Sequence, residues 1–254
     1  MHETGAIEAT GHKVITVNSS NGKITSDDVV SVLEAHTDEH MVKPRLVYIS
    51  NSTEIGTIYY KKELQNLSKV CKENNLILYM DGARLGSALS CKENDLTLED
   101  IATLTDAFYI GGTKNGALMG EALDICNEVL KRDLRYHIKQ RGALLAKGRI
   151  LGIQFMELFK ENLFFEIGSH MNSMSNILRN EINQLGYEFM ITSPSNQLFP
   201  VLPNDIIEAL REKFDFLTWE KIDENNSAIR LVTSWATTEE HINEFIEYLK
   251  ELTK

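Results

Sequence analysis

Apolar residues in this chain follow two rhythms. Short, largely apolar runs at 45–49 (apolar from Leu46), 76–80 and 107–110 are each followed by polar or glycine-rich residues. Such runs read as buried strands of a parallel sheet. Between them lie amphipathic or capped segments: a helix at 27–35 with Ser26 as its cap, a helix at 61–73, and a short helix ending at Leu89. Acidic residues in the first turn of the 27–35 segment suit the helix dipole. A strand at 14–17, before the Asn21-Gly22 turn, is expected to open the series. A further strand at 116–122, antiparallel to the rest, is expected to close it. Strand and helix in alternation imply an α/β architecture with a mostly parallel sheet.

From about residue 126 to 185 the pattern is helical, with breaks expected near Gly142, Gly152 and Gly168. Residues 142–146, small and apolar, are expected to pack closely on a neighbour. An α+β segment completes the chain. Its strands are expected at 188–191, 197–201, 216–220 and 228–232, and its helices at 204–213 and 238–252, the last capped by Thr237 or Thr238. The division is therefore a sheet domain over residues 1–135, then a helical connection and small domain over 136–254.

Composition narrows the classes. The chain has 254 residues, 43% hydrophobic and 25% charged, as expected of a soluble globular protein. A net charge of −11 argues against nucleic acid or an anionic membrane as a partner. No apolar run approaches the roughly 18 residues of a membrane span. Cys71, Cys91 and Cys126 show neither CxxC nor metal-ligand spacing. With no apolar leader at the start, they read as unpaired thiols in a reducing cytoplasm. HExxH and P-loop patterns are absent, so no metal site is expected.

The candidate chemistry sits where parallel strands end. Asp81 closes the 76–80 run in Asp81-Gly82-Ala83-Arg84, and Lys114 follows the 107–110 run in Gly111-Gly112-Thr113-Lys114-Asn115-Gly116. Open α/β sheets bind ligands at this edge. A carboxylate at one strand end and a glycine-bracketed lysine at the next suit pyridoxal 5′-phosphate: the first keeps its pyridinium protonated, the second forms a Schiff base. Taken alone, Asp81 also suits a helix cap, Lys114 an exposed loop, and Arg84 a surface position. Asn51-Ser52-Thr53-Glu54, after the 45–49 run, can contact a cofactor or simply form the turn into Gly56.

These segments, with the opening His2-Glu3-Thr4-Gly5-Ala6-Ile7-Glu8 and the late Arg230-Leu231-Val232-Thr233, resemble the L-threonine aldolases along nearly the whole chain. The resemblance implies the aminotransferase-like fold and cleavage of L-threonine or L-allo-threonine to glycine and acetaldehyde. A β-eliminating lyase on the same scaffold is the alternative reaction. It implies catalytic roles for Lys114, Asp81 and His40, with His40 near the substrate's β-hydroxyl. Arg84, Thr113 and Asn51 would join Lys114 and Asp81 around the cofactor, and Arg230 with Arg84 would hold the substrate carboxylate. A cytoplasmic homo-oligomer, dimer or homotetramer, is implied as well. Members of the family begin several dozen residues earlier, with a glycine-rich phosphate cup. The chain is accordingly expected to be a fragment or truncated product, weak in retaining cofactor or non-catalytic.

Overall fold

The computed structural model describes residues 3–253; His2 of the opening motif lies outside them. The chain begins with α1 (Ser26–Glu34), β1 (Leu46–Ser50), α2 (Lys61–Glu73), β2 (Ile77–Asp81), α3 (Leu85–Leu89), α4 (Leu98–Leu104), β3 (Ala107–Gly111) and β4 (Glu121–Ile125). Four strands form one sheet in the order β1-β2-β3-β4, the first three parallel and β4 antiparallel to β3. Ser50 pairs with Asp81 and Gly111 with Glu121, so the carboxyl ends of β1, β2 and β3 share an edge with the start of β4. Leu64, Leu67, Leu78, Met80, Ile101 and Phe108 build the core behind this sheet.

The helical stretch contains α5 (Glu128–Lys131), α6 (Leu134–Gln140), α7 (Arg149–Phe159) and α8 (Leu163–Gln184). After it come β5 (Gln197–Leu198), β6 (Val201–Pro203), α9 (Asn204–Leu210), β7 (Leu217–Lys221), β8 (Asn226–Val232) and α10 (Glu239–Leu252). In this second sheet β8 is central, pairing antiparallel with β5, β6 and β7. Ile182, Leu202, Leu210, Ile229, Ile246 and Leu249 form a separate core. Helix α8 serves both, giving Phe164 to the first core and Met174, Leu178 and Ile182 to the second.

Several expectations are corrected. Residues 14–17 form no strand, because apolar alternation over four residues does not supply a pairing partner. The antiparallel strand begins at Glu121, with the loop from Lys114 to Gly120 taking up the earlier residues. Thr25, not Ser26, caps α1: its hydroxyl accepts from the Asp28 N–H at 3.3 Å while Asp28 accepts from the Thr25 N–H at 2.7 Å. Residues 188–191 hold only the single bridge between Phe189 and Pro200. The run from Gln197 divides into β5 and β6 at Phe199 and Pro200. Residues 142–146 are all exposed, so the close packing expected of them is not found.

Gly142 does break the helical run, with φ of 74°, but Gly152 and Gly168 lie inside α7 and α8. Gly168 is a contact point. A methyl there would overlap the carbonyl of Gly86, so Gly168 lets α8 lie directly on α3. Helix α4 has no counterpart in the sequence reading. Its capping box, Thr97 with Asp100, is the signal that marked it.

Candidate active site

The carboxyl edge of the first sheet brings together residues that are distant in sequence. Asp81 ends β2 with both carboxylate oxygens engaged. One accepts from the Ala83 N–H at 2.9 Å, which makes the local turn; the other accepts from the hydroxyl of Tyr48 on β1. Burial, and then the nearby Asp81 carboxylate, raises the phenol of Tyr109 on β3 far above its ordinary value. Burial and then the nearby Asp81 charge push Tyr79 up to about 12. Asp81 is thus held by two donors, the Ala83 N–H and the Tyr48 hydroxyl, with the Tyr109 phenol nearby. It does not cap α3, whose first turn follows Arg84 without a side-chain cap.

Lys114 stands on a tight turn, residues 113–115, closed by Gly116 at φ of 94°. Asn115 anchors this turn: it is buried and donates its amide to the Phe164 carbonyl at 3.0 Å. Before it, Gly112 donates its N–H to the Glu121 carboxylate at 2.6 Å. The Lys114 residue is exposed, yet enough protein surrounds its ammonium that desolvation, followed by the charge of Arg84, lowers its pKa. Glu54, Asp81 and Glu121 oppose that shift. Arg84 is half-buried, and its pKa too is lowered, by desolvation and then by Arg230. Neither the Lys114 ammonium nor the Arg84 guanidinium makes a hydrogen bond or ion pair among the described residues. Thr113 is exposed beside Lys114.

Arg230 enters from the second sheet. It lies on the central strand, not at a sheet edge, and its side chain is 13% exposed. Its guanidinium donates to the Gln197 amide oxygen, stacks 5.2 Å from the centre of the Trp219 ring and lies 3.8 Å from Glu54. Its Nε is buried and unpartnered. Asn51 follows β1, fully buried. Its backbone N–H donates to the Asp81 carbonyl at 2.9 Å, its side-chain oxygen accepts from the Tyr59 N–H at 3.2 Å, and its Nδ2 is left without a partner.

Two unpaired buried donors, an uncommitted guanidinium and a depressed lysine beside an oriented carboxylate describe a site arranged for an anionic ligand. Buried polar groups ordinarily find partners, and Asn51 Nδ2 and Arg230 Nε have none within the protein.

Of the residues expected from the sequence, Asp81, Lys114, Arg84, Thr113, Asn51 and Arg230 belong to this edge or its electrostatic neighbourhood. His40 is not brought to them. It is exposed on the segment leading into the amino end of β1, and its ring bonds to Asp38 at 2.7 Å within its own turn. Tyr48, Tyr109 and Gln197 were missed. The tyrosines sit inside apolar runs and read as core, whereas Gln197, buried at 0% exposure, left one signal: an amide inside an expected strand.

Known proteins resemble the chain in sequence and fold. A family model described as β-eliminating lyase matches residues 1–205. The low specificity L-threonine aldolase of Pseudomonas sp. (strain NCIMB 10558) is 34% identical over 249 residues, covering 95% of this chain and 70% of that protein. Its Pseudomonas aeruginosa counterpart is 32% identical with the same coverage. The solved threonine aldolase of Leishmania major superposes with a TM-score of 0.97 at 54% identity, covering 100% of this chain and 74% of that one.

Proposed function

Since this chain belongs to the L-threonine aldolases within the β-eliminating lyase family, we propose that it cleaves L-threonine or L-allo-threonine to glycine and acetaldehyde with pyridoxal 5′-phosphate at the edge described above. The observation that carries the reading is Asp81 and Lys114 at the ends of adjacent parallel strands, with Arg84 and Arg230 beside them. The residues present fit the cofactor. Asp81 offers an oriented carboxylate to a ring nitrogen, and Lys114 offers an amine whose lowered pKa enlarges its neutral, nucleophilic fraction. Gly82, Gly111 and Gly112 leave no room for a Cβ and keep the backbone close. When bound, the cofactor supplies an electron sink for the pair released from the Cα–Cβ bond.

The chain's own residues do the rest. Arg230 holds the α-carboxylate by charge-assisted bonds, fixing which bond at Cα stands free to break. Arg84 adds a second positive charge at the same place and depresses Lys114. Thr113 and Asn51 offer hydrogen bonds to cofactor oxygens. The β-hydroxyl proton goes to a base, either a positioned water or, as the family resemblance implies, His40, and a proton returns to Cα as glycine forms.

The same reading includes a sheet domain to about residue 135 and a smaller domain beyond it, supported by the two separate cores. It includes a homo-oligomer, dimer or tetramer, supported by Ile150, Ile153 and Met156, which α7 leaves exposed. It includes a cytoplasmic setting, supported by three unpaired cysteines. Among the described residues no helix is long and apolar enough to cross a membrane.

The test is product identity. Cofactor-loaded protein given L-threonine should release acetaldehyde and glycine in equal amounts. A keto acid and ammonia instead would assign β-elimination.

A further inference from the structure

Gln197 is fully buried, and each part of its amide is committed. The oxygen accepts from Arg230; the nitrogen donates to the Thr53 carbonyl at 3.0 Å and reaches the Ser52 hydroxyl at 3.5 Å. The amide's orientation follows from its neighbours, because a flipped amide would oppose NH2 to guanidinium. Register explains the reach. Gln197 pairs with Val232, so Arg230 lies two residues along on the same face of β8.

We propose that Gln197 is a positioning residue that holds the Arg230 guanidinium on the site and keeps its ion pair with Glu54 long, so that its positive charge stays available. This rests on the carboxylate role given to Arg230 above. The competing partner is the exposed Glu54, which already forms a long ion pair with the guanidinium at 3.8 Å. Without Gln197 the guanidinium is free to close on Glu54, an internal carboxylate that competes with the substrate's. A glutamate at 197 would neutralise Arg230 outright. A leucine would sever the link to Thr53 and release Arg230 toward Glu54. Only a neutral side chain that both accepts and donates ties the second sheet to the end of β1 without cancelling the charge. Trp219, against the guanidinium at 5.2 Å, limits its remaining freedom.

The experiment measures steady-state kinetics on the cofactor-loaded full-length protein. Gln197→Leu should raise KM for L-threonine roughly tenfold, the scale of one lost bond to a charged group, with kcat within about twofold and cofactor absorbance unchanged. Gln197→Glu, nearly isosteric and so expected to fold even if the leucine variant does not, should raise KM at least as much. Adding Glu54→Gln to Gln197→Leu should recover part of the loss, which a merely structural role for Gln197 would not produce. If both Gln197 variants keep KM within about twofold, or lower kcat alone, the inference is overturned while the carboxylate role of Arg230 stands. If Arg230→Ala itself leaves KM unchanged, that role fails and the inference fails with it.

Discussion

The N–H of Gly111, ending β3, donates to the carbonyl of Gly82 at 2.9 Å, just beyond the end of β2. This bond joins the segment after Asp81 to the segment before Lys114. Neither glycine can be replaced quietly: a Cβ on Gly82 would overlap the Tyr109 carbonyl, and one on Gly111 the Ala83 carbonyl. Both obstacles are backbone, which cannot rotate away. Gly82→Ala should therefore destabilise the fold by about 1–3 kcal/mol and push β3 away from the segment that follows Asp81. Thermal unfolding against the unaltered protein checks the first effect. An unchanged melting temperature would refute this account of the junction.

Lys114 is the expected attachment point. Borohydride reduction of the yellow, cofactor-loaded protein and peptide mass mapping should place the pyridoxyl mass on Lys114. Lys114→Ala should abolish the chromophore without unfolding the chain, because the Lys114 ammonium makes no hydrogen bond or ion pair with the turn. A label on another lysine would overturn the assignment.

A pH effect follows from Arg84. Desolvation and then the Arg84 charge hold the Lys114 pKa below that of a free lysine. Removing a like charge favours the protonated amine, so Arg84→Gln should move the titration of Lys114 to higher pH. The pH dependence of labelling at Lys114 by an amine-reactive reagent in the cofactor-free protein reports this directly. A downward shift would contradict the arrangement.

Arg230 and Lys114 should separate in their effects. Losing a bond to a charged group costs on the order of 1.5–3 kcal/mol. Arg230→Ala should thus weaken threonine use about ten- to a hundred-fold while leaving cofactor absorbance intact. Arg230→Lys should recover only part, because an ammonium cannot present the planar fork. Altered absorbance with untouched threonine kinetics would assign Arg230 to the cofactor instead.

Thiol reactivity gives a check independent of catalysis. Burial pushes Cys71 and Cys91 up to about 12, so almost no thiolate exists near neutrality. Iodoacetamide should modify half-buried Cys126 first in the native protein and reach the other two only after unfolding. Mass mapping of a brief alkylation decides this.

What the sequence determined by itself is the local part. The runs ending at Asp81 and before Lys114 declare buried parallel strands, because an apolar segment flanked by polar residues has few other ways to shed water. The bounds of α2 and the Thr238 cap of α10 were legible for the same reason: periodicity and capping are short-range. Asp81 and Lys114 could be paired from their places at strand ends alone. The strand wrongly expected at 14–17 shows the limit, since a β pattern requires a neighbour that no local signal provides. Tertiary structure decided what depended on such neighbours. Tyr48, Asp81 and Tyr109 converge because β1, β2 and β3 lie side by side, and Arg230 reaches Gln197 because β5 pairs with β8. Hydrogen bonds act over about 3 Å, whereas these residues lie tens of positions apart, so only the folded sheets bring them within range.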